Sequence, residues 1–340
     1  MFAVHTATIP GVVMREVAPA YYRRPGGWIL LLAIATLAHY SRANNPSNET
    51  HSVEVQMRNV MYHFTDNVAV HIRRLHGELI PQKGDLPVFD DKNSFQLKIS
   101  SAEIAISSAS LANVLNSYVF AKSDAPVKGI SILLENGDRL KIKGKLHSKG
   151  DIAFETEGRL NTTPEGKIRL HADKVRALHL PVKGLMDLLG IELSDLIKTG
   201  KVHGVAAEKD DLILDPQTLL PPPHIEGHVS SVRLERDNVV QVFGDSKNET
   251  PLQVPAANYM YYRGNQLRFG KLTMTDTDLA LIDMDPEDPF DFYLDHYKQQ
   301  LVAGYTKETP SFGLHVFMRD YNKLATSRGL STSSKQTMKH

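Results

Sequence analysis

The chain has 340 residues, of which 41% are hydrophobic and 23% charged, with 39 Lys and Arg balanced by 39 Asp and Glu. That length and apolar content are enough for a sizeable core in one large domain with appendages, while the balanced charge removes the basic footprint that a nucleic-acid binder needs. There is no cysteine, which excludes disulfides, thiol nucleophiles and cysteine-ligated zinc or iron–sulfur centres.

At the N-terminus, Arg23-Arg24 precede an apolar run over 28–38, and the sequence then turns polar and rich in Asn and Ser. This is the order of a signal peptide. A spanning helix needs about 20 apolar residues and this run has about half that, so a short membrane anchor is the alternative. Ser41-Arg42-Ala43 has the small-x-small character of a cleavage site, and the mature chain then begins near Asn44. Export to the periplasm or cell envelope is expected. No lipobox cysteine is available for lipid attachment.

From residue 53 onward short alternating runs are punctuated by Gly, Asn, Asp and Pro, as in a β protein. Val53, Val55 and Met57 alternate with polar residues, as do Val68, Val70 and Ile72 after Asp66-Asn67, then Phe95, Leu97 and Ile99, and then Ile104 and Ile106. At Ser107-Ser108 the period changes. Leu111, Val114, Leu115, Tyr118 and Val119 fall at helical spacing, with Ser108 or Ser110 as N-cap. Asn136-Gly137 between alternating runs predicts a hairpin with a type I′ turn. A second hairpin follows, with Phe154 and Leu160 on one arm, a loop over 162–166, and Ile168, Leu170 and Ala172 on the return. Residues 181–197 switch to helical spacing through Leu185, Leu188, Leu189, Leu193, Leu196 and Ile197, with Gly190 dividing them into two short helices.

Residues 210–216 read as a strand entering the rigid stretch that ends in Pro221-Pro222-Pro223, and 225–234 read as another strand. Residues 244–256 read as a linker. Strands are then expected over 259–262, 266–274 and 278–283, a short helix over 290–302, and a disordered tail over 325–340.

Two clusters invite chemistry. Asp276, Asp278, Asp283, Asp285, Asp288 and Asp291 form an acidic run of a kind that can bind Ca²⁺, but no EF-hand spacing is met, and solvated turns around Pro286 and Pro289 are expected. The fifteen histidines are scattered; His224 and His228, four apart, are the pair that could share a strand face. No Gly-x-Ser-x-Gly elbow, P-loop or dinucleotide fingerprint occurs, so neither a catalytic residue nor a cofactor is expected. Lys128, Arg139, Lys141, Lys143, Lys145 and Lys149 line one face of the first hairpin. That face reads as an ordinary solvated strand surface, with peripheral contact to anionic lipid headgroups as the alternative.

The order of a strand, a helix Leu111-Ala-Asn-Val-Leu-Asn-Ser-Tyr118, hairpins of Leu-Lys-Ile-Lys-Gly type, Leu180-Pro-Val-Lys-Gly-Leu-Met-Asp-Leu-Leu-Gly190 and Asp211-Leu-Ile-Leu-Asp-Pro resembles the LmeA-type periplasmic phospholipid-binding proteins. More distantly it resembles the tubular lipid-binding superfamily. The resemblance covers residues 95–243 and implies a long, strongly curved sheet wrapped around a helix with an apolar tunnel. The expected fold is therefore α+β and mostly antiparallel β, with one curved-sheet domain over 44–243. A β-rich extension over 257–324 follows the linker. Candidate lining residues are Leu111, Leu115, Tyr118, Leu185, Leu188, Leu189, Leu193 and Leu196, with a phospholipid or other acyl lipid as partner. The alternative is that these side chains fill a solid core. At the level of function the alternatives are an envelope scaffold that docks a partner through residues 251–324 and, less favoured, a metal-dependent hydrolase using the acidic run.

Overall fold

A computed structural model describes residues 52–135, 139–146, 151–177, 180–181, 204–245, 254 and 256–324. The described chain is mostly antiparallel β, with a large curved sheet, a half-barrel sheet and a few short helices.

The large sheet begins with β1 (Val53–Thr65), β2 (Val68–Pro81) and β3 (Phe95–Ser107) in antiparallel succession. The apolar alternation that marks these strands does not run through them in one phase. In β1 the buried positions are Val53, Val55 and Met57 and then Val60, Tyr62 and Phe64, so the phase slips by one at Asn59. Asn59 adopts a left-handed φ of 51°; it and Arg73 opposite are skipped together in the pairing of β1 with β2, and the register of β2 with β3 shifts at Arg73. A bulge adds one residue to a strand and sends every later side chain to the other face; here bulges in adjacent strands keep the apolar sets together.

Asn59 is also where the sheet forks. Before it, β1 pairs with β14 (Tyr259–Phe269), and beyond it with the parallel strand β16 (Phe290–Tyr293). In the same manner β3 pairs first with β11 (His224–Glu226) and then with β13 (Asn238–Gly244). Gly244 closes that second fork at φ 60°, and its backbone lies against the Ser100 carbonyl with no room for a Cβ. The full order is β12 (Val229–Glu235), β13, β3, β2, β1, β14, β15 (Leu272–Asp283), β18 (Leu314–Met318) and β17 (Tyr305–Glu308). Residues 259–318 thus extend the sheet that 53–107 begin.

The second sheet is a meander of β4 (Val127–Leu134), β5 (Arg139–Leu146), β6 (Ile152–Thr162) and β7 (Ile168–Ala177), with β8 (Leu180–Pro181) and β10 (Asp211–Leu214) beside β7 and β9 (Val205–Glu208) outermost. Both expected hairpins form: Leu134 pairs with Leu140 and Thr162 with Ile168. Asn136-Gly137 themselves lie outside the described residues. The helix between the sheets, α1 (Ser108–Val114), is capped by Ser107, whose Oγ accepts from the Ser110 amide at 3.0 Å, rather than by Ser108 or Ser110. It continues as a π turn over Leu115–Val119, closed by the Phe120 amide donating to the Leu115 carbonyl at 2.8 Å.

Three expectations are corrected. The strand expected over 225–234 is cut at Gly227-His228 into β11 and β12. The segment expected to run extended from 215 instead makes the one-turn helix α2 (Pro216–Leu219), with Asp215 as N-cap. Residues 290–302 are not one helix: β16 leads through a 3₁₀ turn at Leu294–His296 into α3 (Tyr297–Val302). Phe290, Asp291, Phe292 and Tyr293 are all buried, so this strand is covered on both faces and shows no alternation. Beyond Pro181, which lies in β8, the expected helical stretch 181–197 falls outside the described residues. Among the described residues no helix is long and apolar enough to cross a membrane.

Candidate functional site

The concave face of the meander encloses an apolar cavity. Its wall is laid down by alternation: Ile130 and Ile132 from β4, Leu140 and Ile142 from β5, Phe154 and Leu160 from β6, Ile168, Leu170 and Ala172 from β7, and Leu212 and Leu214 from β10. The open side is covered by Leu111, Leu115 and Phe120, by Leu219 and Leu220 at the end of α2, and by Ile106 and Val239 of the large sheet. Among the described lining residues none is charged, and Thr156 and Gln241 are the polar ones. The free volume is about 70 Å³, well under the roughly 300–1,000 Å³ of sites that enclose drug-sized ligands. It admits part of one slim chain, and a bulkier guest must part the walls.

Of the candidate lining residues, Leu111 and Leu115 are buried and face the cavity. Tyr118 does not: it is 42% exposed and absent from the lining. A π turn holds more residues per turn than an α-helix, so a 3.6-residue period counted from Leu111 misplaces it, and Phe120 points inward instead. Leu185, Leu188, Leu189, Leu193 and Leu196 lie outside the described residues. Sequence reasoning placed the lining on helices and missed the strand wall, Thr156 and Gln241 included. Thr156 was legible as a polar residue two after Phe154 on the inward-facing phase of β6.

A smaller apolar void of about 40 Å³ lies against the large sheet among Met57, Phe89, Phe95, Tyr262 and Phe292. Residues 216–225 line both spaces: Pro216, Leu219 and Leu220 face the first, and Pro223 and Ile225 the second.

The acidic run is divided between surface and interior. Asp283 and Asp291 are buried, contrary to the expected solvated turns, and Asp320 and Gln300 are fully buried with them. One Asp291 oxygen meets His63 Nε2 at 2.5 Å, and the other accepts from the Asn322 amide at 3.0 Å. Asp320 accepts from the Asp291 amide at 2.8 Å and pairs with Lys323 at 2.8 Å. Gln300 binds the carbonyls of Asp291 and Arg319 and receives the Tyr293 amide. Asn258 donates to Asp283 at 2.8 Å and accepts from Asn59 at 2.7 Å, and Asn59 is in turn bonded to His71. These bonds satisfy the polar groups exposed where the sheet forks. Among the described residues no three His, Asp or Glu side chains converge as a metal site would require. His224 lies in β11 and His228 in the break that follows it, so the two do not share a strand face.

Two lysines of the basic hairpin face are paired within the sheet. Lys141 Nζ lies 2.7 Å from Glu135, 3.5 Å from Glu157 and 3.7 Å from Glu155, and Lys143 pairs with Glu155 at 3.3 Å. Lys149 lies outside the described residues.

No known protein family, curated protein or solved structure matches this chain.

Proposed function

We propose that this chain is an exported envelope protein that binds an apolar ligand in its half-barrel, with the acyl chain of a phospholipid or another lipid as the ligand class. The observation that carries the reading is the cavity itself: its described lining is aliphatic and aromatic apart from Thr156 and Gln241, comes from both sheets, and includes no charged residue. Such a surface gains from any apolar guest, by roughly 25 cal/mol for each Å² removed from water, and offers little that would orient a polar substrate. The export half of the proposal rests on the basic, then apolar, then polar order over residues 23–43.

The test is to isolate residues 44–340 from bacterial periplasm without denaturant, extract with organic solvent and assay the extract by mass spectrometry. A near-equimolar acyl species is the expected result; a clean extract from a folded, monodisperse sample overturns the reading.

A second reading, an envelope scaffold docking through residues 251–324, is favoured by one observation. Val302 and Phe312 are 86% and 93% exposed, with Leu272 and Tyr305 nearly half exposed on the same part of the chain. Phe312 holds a left-handed φ of 64°, a conformation that bulky residues seldom adopt.

A further inference from the structure

We infer that the ligand of the half-barrel is a single-chain amphiphile whose oxygen, as hydroxyl, carboxyl or ester carbonyl, is held by Thr156. This inference rests on the apolar-ligand reading above and narrows it.

Thr156 is 5% exposed and lies on the cavity wall. Its Oγ1 is buried and has no hydrogen-bond partner among the described residues. Buried hydroxyls are ordinarily paired, because removing one from water without a partner is unfavourable. The position itself does not demand a polar residue: Thr156 pairs in register with Ile142 and shares its wall with Phe154 and Leu160, and valine, also β-branched, would suit the strand as well. With Gln241 the one other polar side chain on the described lining, a water at this hydroxyl would reach at most the low end of the two to four polar partners that hold buried water.

A ligand oxygen resolves the mismatch. A hydroxyl both donates and accepts, so Thr156 can donate to a carbonyl or carboxylate and accept from an alcohol. Gln241, the other polar side chain on the described lining, can accept or donate in the same way. The free volume of about 70 Å³ admits part of one slim chain and no second one, which favours a monoacyl compound over a diacyl one.

The experiment compares dodecane, 1-dodecanol and dodecanoic acid as probes by calorimetric titration of the full mature chain, wild type, Thr156→Val and Thr156→Ser. Wild type should bind the alcohol and the acid more tightly than the alkane. Thr156→Val should weaken the alcohol and the acid about tenfold, the loss expected of one hydrogen bond in a dry site, while holding the alkane at least as well. Thr156→Ser keeps the hydroxyl and should restore the preference, which separates loss of the bond from damage to the wall. If wild type and Thr156→Val bind all three probes alike, the inference is overturned and the apolar-cavity reading stands. If wild type binds none of them, both fall.

Discussion

Burial drives the Asp320 carboxyl up to about 6 from its ordinary value of 3.8, against the opposing pull of Lys323 and the Asp291 amide. Burial raises Asp283 as well, opposed by its bond from Asn258. A carboxyl that holds its proton more tightly when folded favours the folded state most below its unfolded value, and this contribution is lost as pH climbs through the folded value. Asp320 therefore adds stability on acidification from pH 7 to 5, against the opposite contribution of His71, whose pKa burial lowers; Asp320→Asn should melt lower relative to wild type at pH 5 than at pH 7, which calorimetric melts across this range check. Glu235 behaves oppositely. Hydrogen bonds from Arg73 and Arg233 hold it at about 2, so its contribution is present above the ordinary value of 4.5 and fades as pH falls toward 2. Both arginines also bind Glu103. Because this cluster sits near the surface its share is small, and the acid limb below pH 4 should be shallow and sensitive to salt. On the cavity wall, Leu170→Ala should cost about 2–5 kcal/mol in denaturant unfolding and at the same time admit a bulkier guest.

Among the elements, the two forks decide which changes the large sheet tolerates. Gly244→Ala would place a methyl against the Ser100 carbonyl at a φ that alanine disfavours, and should destabilise by more than 1 kcal/mol; a pseudo-wild-type urea midpoint would contradict the account of the β3 fork. Ser107→Ala removes the cap of α1 and should cost about 1 kcal/mol. The same forks mark where sequence reading stops. Alternation identified β1, β2 and β3 as strands, because each keeps one apolar face. It could not place the bulges at Asn59 and Arg73, since a one-residue slip reads locally as a break and only the partner strand shows it to be compensated. β16 was read as helix for a related reason: Phe-Asp-Phe-Tyr is buried on both sides, and its aspartate is tolerated by bonds to His63 and Asn322 that join residues far apart in sequence. β17 and β18 carried no expectation, being short and, in β17, exposed throughout.

At the scale of the whole molecule, the arms of the hairpins were legible, because inward positions recur every second residue. Closure was not. It depends on Ile106 and Val239 from the other sheet and on the turn after Leu115, where the helical period changes. The exposed apolar side chains carry their own test: Phe312→Ser and Val302→Ser should leave stability within about 0.5 kcal/mol and lessen self-association in sedimentation, since neither side chain is packed. The stretch over 216–225 that faces both internal spaces has a further consequence. Pro216, Pro221, Pro222 and Pro223 have no amide hydrogen to contribute, and the backbone ladder that secures the segment on the side of the large sheet is the three-residue pairing of β11 with β3. The two chambers are thus parted by a bulkhead fixed mainly by the fit of its side chains, one that can shift sideways while few backbone hydrogen bonds are broken.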